Sequence, residues 1–259
     1  AQWLAPDEAA EFPVETTPSN FDAVRDEIAS MRVDLNIVPA ANRKKRLLIA
    51  DMDSTMIGQE CIDELAAEAG VGDRVADITA RAMNGELNFE AAIDERVGLL
   101  KGLPLTVITS VLETRITLAP GGETLLRTMK ANGAYAALVS GGFVQFTSAI
   151  AARLGFDENR ANTLLENGDT LSGKVQRPIL GQEAKVNALK DITTRLNITT
   201  EDAIAVGDGA NDLAMIHAAG MGVALHAKPT VSAAAPIKVN HSDLTSLLYL
   251  QGYAKTDFV

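Results

Sequence analysis

Short apolar runs separated by longer amphipathic stretches dominate the chain from residue 47 onward. Four runs that stop at Gly, Ser or Asp predict strands: LLIAD (47–51), AYAALVS (134–140), AIAVGDG (203–209) and MGVAL (221–225). Helical spacing of apolar residues predicts helices over residues 122–132, 144–154, 183–196 and 212–218. This alternation predicts an α/β fold with a Rossmann-like, mostly parallel sheet and helices on both faces.

The stretch over residues 60–118 interrupts this alternation. Four amphipathic segments punctuated by glycines and Pro104 predict four consecutive helices. We expect them to form a helical cap inserted after the first core strand, which leaves residues 47–59 and 119–259 as the core. A polar two-stranded excursion is predicted at about 161–177, around an Asn-Gly turn.

The first 46 residues have a different pattern. They carry four of the nine prolines, and Phe21, Val24, Ile28 and Met31 have the spacing of one amphipathic helix. We interpret residues 1–46 as an N-terminal appendage to the core. They are too few for a complete regulatory domain, so they are either the remnant of one or the result of a truncation.

Composition and net charge limit the kinds of molecule that this protein is expected to bind. The 259 residues are 47% hydrophobic and 22% charged, as in an ordinary globular protein, and the formal net charge is −11. So acidic a chain repels nucleic acid and anionic membrane surfaces, so we expect neither as a partner. Cys61 is the only cysteine, which fits a reducing, cytoplasmic setting. A monomer and a homodimer both fit the sequence.

The motif DMDST places two carboxylates, Asp51 and Asp53, at the end of a buried strand. Like charges so close repel, so the fold must hold a cation there or use the carboxylates in chemistry. An EF-hand calcium loop is excluded because Met56 and Ile62 stand where Gly and Glu are needed. A purely structural role for Asp53, Ser54 or Thr55, as a turn or a helix N-cap, is the alternative.

A second acidic motif, GDGAND, follows the third predicted strand. It is not a dinucleotide fingerprint, because the third glycine of that pattern would fall on Asp212. Asp208, Asn211 and Asp212 instead offer oxygen ligands on a flexible loop, of the kind that Mg²⁺ binds together with water and a substrate phosphate.

Two further features suit an anion. In VSGGF, Ser140, Gly141 and Gly142 join a strand end to a helix start, where free N–H groups favour phosphate, although a simple turn would look the same. Lys185 lies at the start of a predicted helix. Taken alone, a lysine at such a position is usually a solvated surface residue.

Together these residues indicate phosphoryl transfer, in which catalysis is mostly positioning and charge stabilisation. Mg²⁺ and Lys185 would offset the negative charge of Asp51, Asp53, Asp208 and Asp212. Asp51 can act as the nucleophile that forms an aspartyl-phosphate, and Asp53 as the general acid and base.

DMDST, the strand-end Ser140, Lys185 and GDGAND resemble the four motifs of the haloacid dehalogenase superfamily of phosphotransferases, in order and spacing, from about residue 45 to 250. The resemblance implies a role for each motif residue. The implied Mg²⁺ ligands are Asp51, the Asp53 backbone carbonyl and Asp208. The implied phosphate-binding residues are Ser140, Gly141, Lys185 and Asn211, with Thr55, Gly142 and Asp212 in support.

The resemblance also implies that the cap selects the substrate. It assigns Glu60 to the ammonium group and Arg96 to the carboxylate of L-phosphoserine, with Met83 and Phe89 as pocket walls. These pairings are physically sound, because Arg forms a bidentate fork with a carboxylate. Without the resemblance, Glu60 and Arg96 would be ordinary surface charges, and Met83 and Phe89 core residues.

Two alternatives to hydrolysis of L-phosphoserine remain open. One is the same chemistry on another small phosphorylated metabolite, including phosphoryl transfer to a different alcohol. The other is a signalling receiver phosphorylated on Asp51, although Asp53 would shorten the life of that phosphate and a receiver needs no cap.

Overall fold

The structure is a computed structural model that describes residues 1–83 and 86–259, except for the side chain of Met83. The strands are β1 Gln2–Ala5, β2 Ala9–Glu11, β3 Leu47–Ala50, β4 Tyr135–Phe143, β5 Glu158–Asn162, β6 Leu164–Asn167, β7 Thr170–Val175, β8 Ala203–Gly207, β9 Met221–Leu225 and β10 Ile237–Val239. The helices are α1 Phe21–Ser30, α2 Cys61–Glu68, α3 Gly72–Met83, α4 Phe89–Gly98, α5 Thr106–Thr114, α6 Gly122–Ala131, α7 Val144–Leu154, α8 Gln182–Arg195, α9 Leu213–Ala218, α10 Pro229–Ala234 and α11 Ser246–Leu250.

A six-stranded sheet in the order β10-β9-β8-β3-β4-β5 forms the centre of the fold, and its paired strands are all parallel. The predicted α/β class is therefore confirmed. The four predicted strands occupy the middle of this sheet. The two edge strands, β5 (ENRAN) and β10 (IKV), were not predicted, because one is polar and the other has only three residues.

Both faces of the sheet are covered by helices. Along β3, Leu47 and Ile49 pack in one apolar cluster with residues of α8 and α9. The alternate residues Leu48 and Ala50 pack in a larger cluster on the opposite face, with residues of α6, α7 and α11. A strand covered on both faces has no polar side, which is why the central strands appear in the sequence as unbroken apolar runs.

The four helices predicted between residues 60 and 118 are present as α2 to α5. Where the chain leaves and re-enters the sheet region, Ile57 and Leu118 form an antiparallel bridge. Gly58 N donates to Thr117 O at 3.0 Å beside it. The predicted hairpin is also present, as the antiparallel pair β6–β7. The division into appendage, core and cap at residues 46, 60 and 118 stays a prediction.

The N-terminal region contains the predicted helix α1 and also a small β1–β2 hairpin that the pattern did not predict. Hydrogen bonds that involve Asp34 and Asn36, which follow α1, join the N-terminal region to the edge of the sheet. Asn36 pairs through its side chain with the backbone of Lys238, at 2.8 and 2.9 Å. Asp34 accepts the backbone N–H groups of residues 240–242. Within the described part of the chain, no helix is both long and apolar enough to cross a membrane.

Candidate active site

The carboxyl ends of three neighbouring strands bring the predicted chemical residues together. Asp51 directly follows β3, Ser140 lies within β4, and Asp208 directly follows β8. Since β4 and β8 flank β3, these side chains share one edge of the sheet. This edge is where open α/β sheets bind ligands.

A buried lysine links two of the aspartates. Lys185, at the start of α8, is 2% exposed. Its Nζ lies 2.8 Å from Asp51 Oδ1 and donates to Asp212 Oδ1 at 2.5 Å. Burial lowers the pKa of Lys185, but the negative charges of Asp51 and Asp212 outweigh burial, so the net change is upward and the amine stays charged. The alternative of a solvated lysine is therefore wrong.

Both carboxylate oxygens of Asp212 accept hydrogen bonds. Besides Lys185 on Oδ1, its Oδ2 accepts the backbone N–H of Gly209 at 3.0 Å. Burial and the charge of Asp51 raise the pKa of Asp212 to about 7, while Lys185 opposes the rise. The carboxylate packs so tightly on β8 that a Cβ at Gly207 would lie 2.3 Å from its Cγ, so only glycine fits there.

One group of carboxylates among the described residues could hold a metal ion. Oxygen atoms of Asp51, Asp208 and Asp212 lie within 4.8 Å of one another. Asp208 is steadied by Thr55, whose hydroxyl donates to its Oδ1 at 3.2 Å. Burial and the charge of Asp51 raise the pKa of Asp208. Three acidic groups face one lysine here, so the donor set and the excess negative charge fit a hard divalent cation.

Asp53 lies beside this group, between two donors. Its Oδ1 accepts the backbone N–H of Cys61, the first residue of α2, at 3.0 Å, and the hydroxyl of Ser140 lies 3.4 Å from its Oδ2. Burial raises the pKa of Asp53 to about 7, with help from the charges of Glu60 and Asp51. A carboxyl group with such a pKa can give and take a proton near neutral pH. The bond to Cys61 also satisfies the first turn of α2, so the structural alternative is partly right.

Gly141 and Gly142 lie in the irregular last part of β4, which we call the glycine loop, and they are tightly packed. Gly142 N donates to Ser140 Oγ at 2.8 Å. A Cβ at Gly142 would lie 2.6 Å from Asp53 Oδ2 and 3.0 Å from Ser140 Oγ, so a side chain there would displace one of them. Gly142 is therefore part of the site and not only a turn residue.

The helical insertion presents opposite charges near this edge. Glu60 accepts the hydroxyl of Ser54 at 2.8 Å. Although Glu60 is exposed at the surface, partial desolvation of its carboxyl group raises its pKa, and the Ser54 hydrogen bond opposes that rise. Burial lowers the pKa of Arg96, which Asp63 and Glu60 oppose. Arg96 is half-buried and feels the negative charges of Asp63 and Glu60, so it is not a fully solvated surface charge.

Phe89, the first residue of α4, is 40% exposed and does not lie in the core, so that alternative is wrong. Its ring lies against the glycine loops: a Cβ at Gly141 would be 3.6 Å from the ring, and one at Gly181 would be 3.3 Å from it. Asn211 is half-buried in the turn after Asp208. Met83 ends α3, and its side chain lies outside the described part of the structure.

Comparison with known proteins agrees with this geometry. The sequence model of the haloacid dehalogenase-like hydrolases matches residues 48–217, which include all four motifs: DMDST, Ser140, Lys185 and GDGAND. The chain belongs to this family. Its fold and its enzyme class, a hydrolase, follow from that membership.

Relatives of this hydrolase include the phosphoserine phosphatase of Streptomyces coelicolor, which is 42% identical over 254 residues, 96% of this chain and 62% of that protein. The chain thus spans less than two thirds of that relative. Among solved structures, a HAD family hydrolase from Salmonella enterica serovar Typhi superposes with a TM-score of 0.87 at 38% identity, over 93% of this chain and 83% of the other. A phospho-aspartyl intermediate analogue of phosphoserine phosphatase superposes with a TM-score of 0.74 at 41% identity, over 80% and 98%.

Two polar residues of this hydrolase site were missed by sequence reasoning. Asn162, buried at the end of β5, donates to Gly141 O at 2.8 Å and accepts from Leu180 N at 2.7 Å, which joins the glycine loop to the segment before α8. Ser54 orients Glu60. Asn162 carries no sequence signal because β5 is polar and irregular, whereas Ser54 could have been found within DMDST.

Proposed function

We propose that this hydrolase is an Mg²⁺-dependent phosphoserine phosphatase that converts L-phosphoserine and water into L-serine and phosphate through an aspartyl-phosphate on Asp51. The observation that carries the proposal is the buried Asp51–Lys185–Asp212 group with Asp53 beside it, below a helical insertion that presents Glu60 and Arg96. A carboxylate and a guanidinium on the helical insertion match a head group with one ammonium and one carboxylate.

In the first half-reaction, an Asp51 carboxylate oxygen attacks phosphorus and the bond from phosphorus to the serine oxygen breaks. Asp53 gives its proton to that leaving oxygen. In the second half-reaction, Asp53 takes a proton from water, the water oxygen attacks phosphorus, and the bond to Asp51 breaks. Phosphate leaves and both aspartates return to their starting states.

Positioning and charge balance fall to the surrounding residues. Ser140, the backbone N–H of Gly141 and Lys185 would hold the phosphoryl oxygens, and Asn211 the phosphate side of the substrate. Asp51 and Asp208, with the Asp53 backbone carbonyl, would hold Mg²⁺, and Asp212 would support the site through its bonds to Lys185 and Gly209. When bound, Mg²⁺ supplies positive charge that offsets the carboxylates and the phosphoryl oxygens.

The head group of the substrate would be held by the helical insertion. Glu60, steadied by Ser54, would accept the ammonium, and Arg96 would form a bidentate pair with the carboxylate. Phe89 supports this role, since its ring already lies over Gly141 and Gly181. Met83 would complete the wall.

Within a cell, this activity would complete serine biosynthesis. We place the enzyme in the cytoplasm, as a monomer or homodimer that acts on a small molecule and binds neither nucleic acid nor membrane. The net charge of −11 and the single buried cysteine support this setting.

The test is phosphate release, with Mg²⁺, from phosphoserine, phosphoethanolamine and phosphoglycerate. Phosphoethanolamine keeps the ammonium, and phosphoglycerate keeps the carboxylate. We expect phosphoserine to exceed both in kcat/KM by at least about 10²-fold, because each analogue leaves one charged residue of the site without a partner. Equal turnover of all three would overturn the substrate assignment, and no release from any would overturn the activity.

A further inference from the structure

The helical insertion contacts the core at a second place, through α4 and far along the chain from the bridge at Ile57 and Leu118. The contact is made by the segment 177–181, which follows the β6–β7 hairpin. Arg177 donates to Glu90 Oε2 at 2.9 Å and also pairs with Asp94. One guanidinium from the core thus holds two carboxylates in the first two turns of α4.

The same segment touches α4 again at its other end. Gly181 lies under the ring of Phe89, where a Cβ would be 3.3 Å away. Between these contacts, Leu180 is bonded through both its N–H and its carbonyl to the buried Asn162. The segment is therefore anchored to the core between its two contacts with α4.

The geometry of α4 shows what Arg177 controls. At about 100° per residue, Phe89 and Arg96 lie within about 20° of each other on one face. Glu90 and Asp94 lie on a flank about 100° to 140° away from Phe89. An ion pair on that flank resists rotation of α4 about its axis, and this rotation sets where Phe89 and Arg96 point.

We propose that Arg177 is a positioning residue: by clamping Glu90 and Asp94 it fixes the rotation of α4, so that Phe89 and Arg96 face the reaction site. As a statement about substrate binding, the proposal rests on the proposed function. The claim that Arg177 holds α4 through Glu90 and Asp94 does not depend on which substrate the enzyme uses.

The other end of α4 is held independently. Gly102 N donates to Leu171 O at 2.8 Å, and Leu171 N donates to Leu103 O at 2.9 Å, so the hairpin holds the loop after α4. Loss of Arg177 would therefore loosen the first turns of α4 without detaching the helix, since Ala92 and Ile93 stay buried beneath them. Because the Arg177 side chain is 52% exposed, its pairs are screened by salt and contribute little to global stability.

Arg115 provides a matched control. It is also an exposed arginine with two carboxylate partners, Glu64 at 3.3 Å and Glu68, but all three lie within the helical insertion. We expect Arg177→Gln to raise KM for phosphoserine about 5- to 20-fold with kcat changed less than about 3-fold, while Arg115→Gln changes neither by more than about 2-fold. Phosphoethanolamine, which has no carboxylate for Arg96, should show a smaller rise in KM.

Two measurements separate positioning from folding and from the choice of substrate. Hydrogen exchange in peptides covering residues 88–98 should be faster in Arg177→Gln than in wild type or Arg115→Gln, whether or not phosphoserine is a substrate. Reversing the clamp, with Arg177→Glu combined with Glu90→Arg and Asp94→Arg, should restore most of the exchange protection and of KM.

Unchanged exchange in Arg177→Gln would overturn the clamp. Faster exchange with an unchanged KM for phosphoserine, in an enzyme that hydrolyses it, would overturn the positioning role. A wild-type enzyme inactive on phosphoserine would overturn the proposed function instead, and the exchange result would still decide the clamp.

Discussion

Lys185 is the residue on which the charge balance of the site depends. It is the buried cation bonded to both Asp51 and Asp212, in a region that also holds Asp53 and Asp208. Burying an ion pair is costly, and removing one partner is costlier still, because the other charge is left without compensation. The two bonds of Lys185 therefore fix the position of α8 relative to the ends of β3 and β8.

Replacing Lys185 with Met should lower the free energy of unfolding by about 3–5 kcal/mol, since two buried carboxylates lose their counter-charge. Urea denaturation without added metal measures the change. Lys190→Met, at an exposed position of the same helix, is the control and should cost less than about 1 kcal/mol. Equal stability of the two variants would contradict the charge argument.

Asp51→Asn should abolish turnover, with a loss of at least about 10⁴-fold in kcat, because an amide is a very poor nucleophile toward phosphorus. The fold should persist, because the change removes one of several crowded negative charges. Phosphate release and circular dichroism check the two parts. Substantial activity in a preparation free of wild-type enzyme would exclude Asp51 as the nucleophile.

At the scale of elements, the carboxyl ends of β4 and β8 carry glycines that let the backbone pack against acidic side chains. Gly207 on β8 and Gly142 after Ser140 both lie where a Cβ would meet a carboxylate at 2.3 to 2.6 Å. These glycines are required by close approach and not by backbone conformation, since neither has a positive φ.

Gly142→Ala should therefore lower kcat by about 10²-fold, because the added methyl group would displace Asp53 or Ser140. Gly98→Ala is the matched control: Gly98 ends α4, and a Cβ there meets nothing within 4 Å. We expect that control to retain activity and to gain about 0.5–1 kcal/mol of stability from helix propensity. Steady-state kinetics and thermal unfolding test both. A fully active Gly142→Ala enzyme would show that the loop can relax.

At the scale of the whole molecule, the helical insertion contacts the core at several places, two of which bear on the site. One is the bridge at Ile57 and Leu118, and the other runs through the hairpin and Arg177 to α4. The insertion is thus held on both sides of the site. Its substrate-facing side chains depend on contacts that are distant in sequence.

A divalent cation should stabilise the folded chain, because its proposed ligands are assembled only on folding. Mg²⁺ at about 100 times its dissociation constant should add about 2.7 kcal/mol to the free energy of unfolding. Thermal unfolding with Mg²⁺ and with EDTA measures this difference. Asp208→Asn should remove most of it, whereas Asp77→Asn, an exposed position on α3, should leave it intact. Equal melting temperatures of wild type with Mg²⁺ and EDTA would argue against the site.

Much of the fold was predictable because a strand that is buried on both faces consists of a continuous apolar run, as in β3, β8 and β9. The helices followed from their spacing, and the strand-end residues Asp51, Ser140 and Asp208 followed from the rule that parallel strands end at one edge. By itself, the sequence thus determined the order of elements, the fold class and the residue types at the site.

Only the tertiary structure decided which distant polar residues meet. Asn162 joins two loops from a polar edge strand, Lys185 proves to be buried, and Arg177 reaches Glu90 and Asp94 across 83 residues or more. Such contacts have no period in the sequence, because a single polar side chain looks the same whether it meets water or a partner. The physical difference lies in burial and geometry, which exist only once the chain has folded.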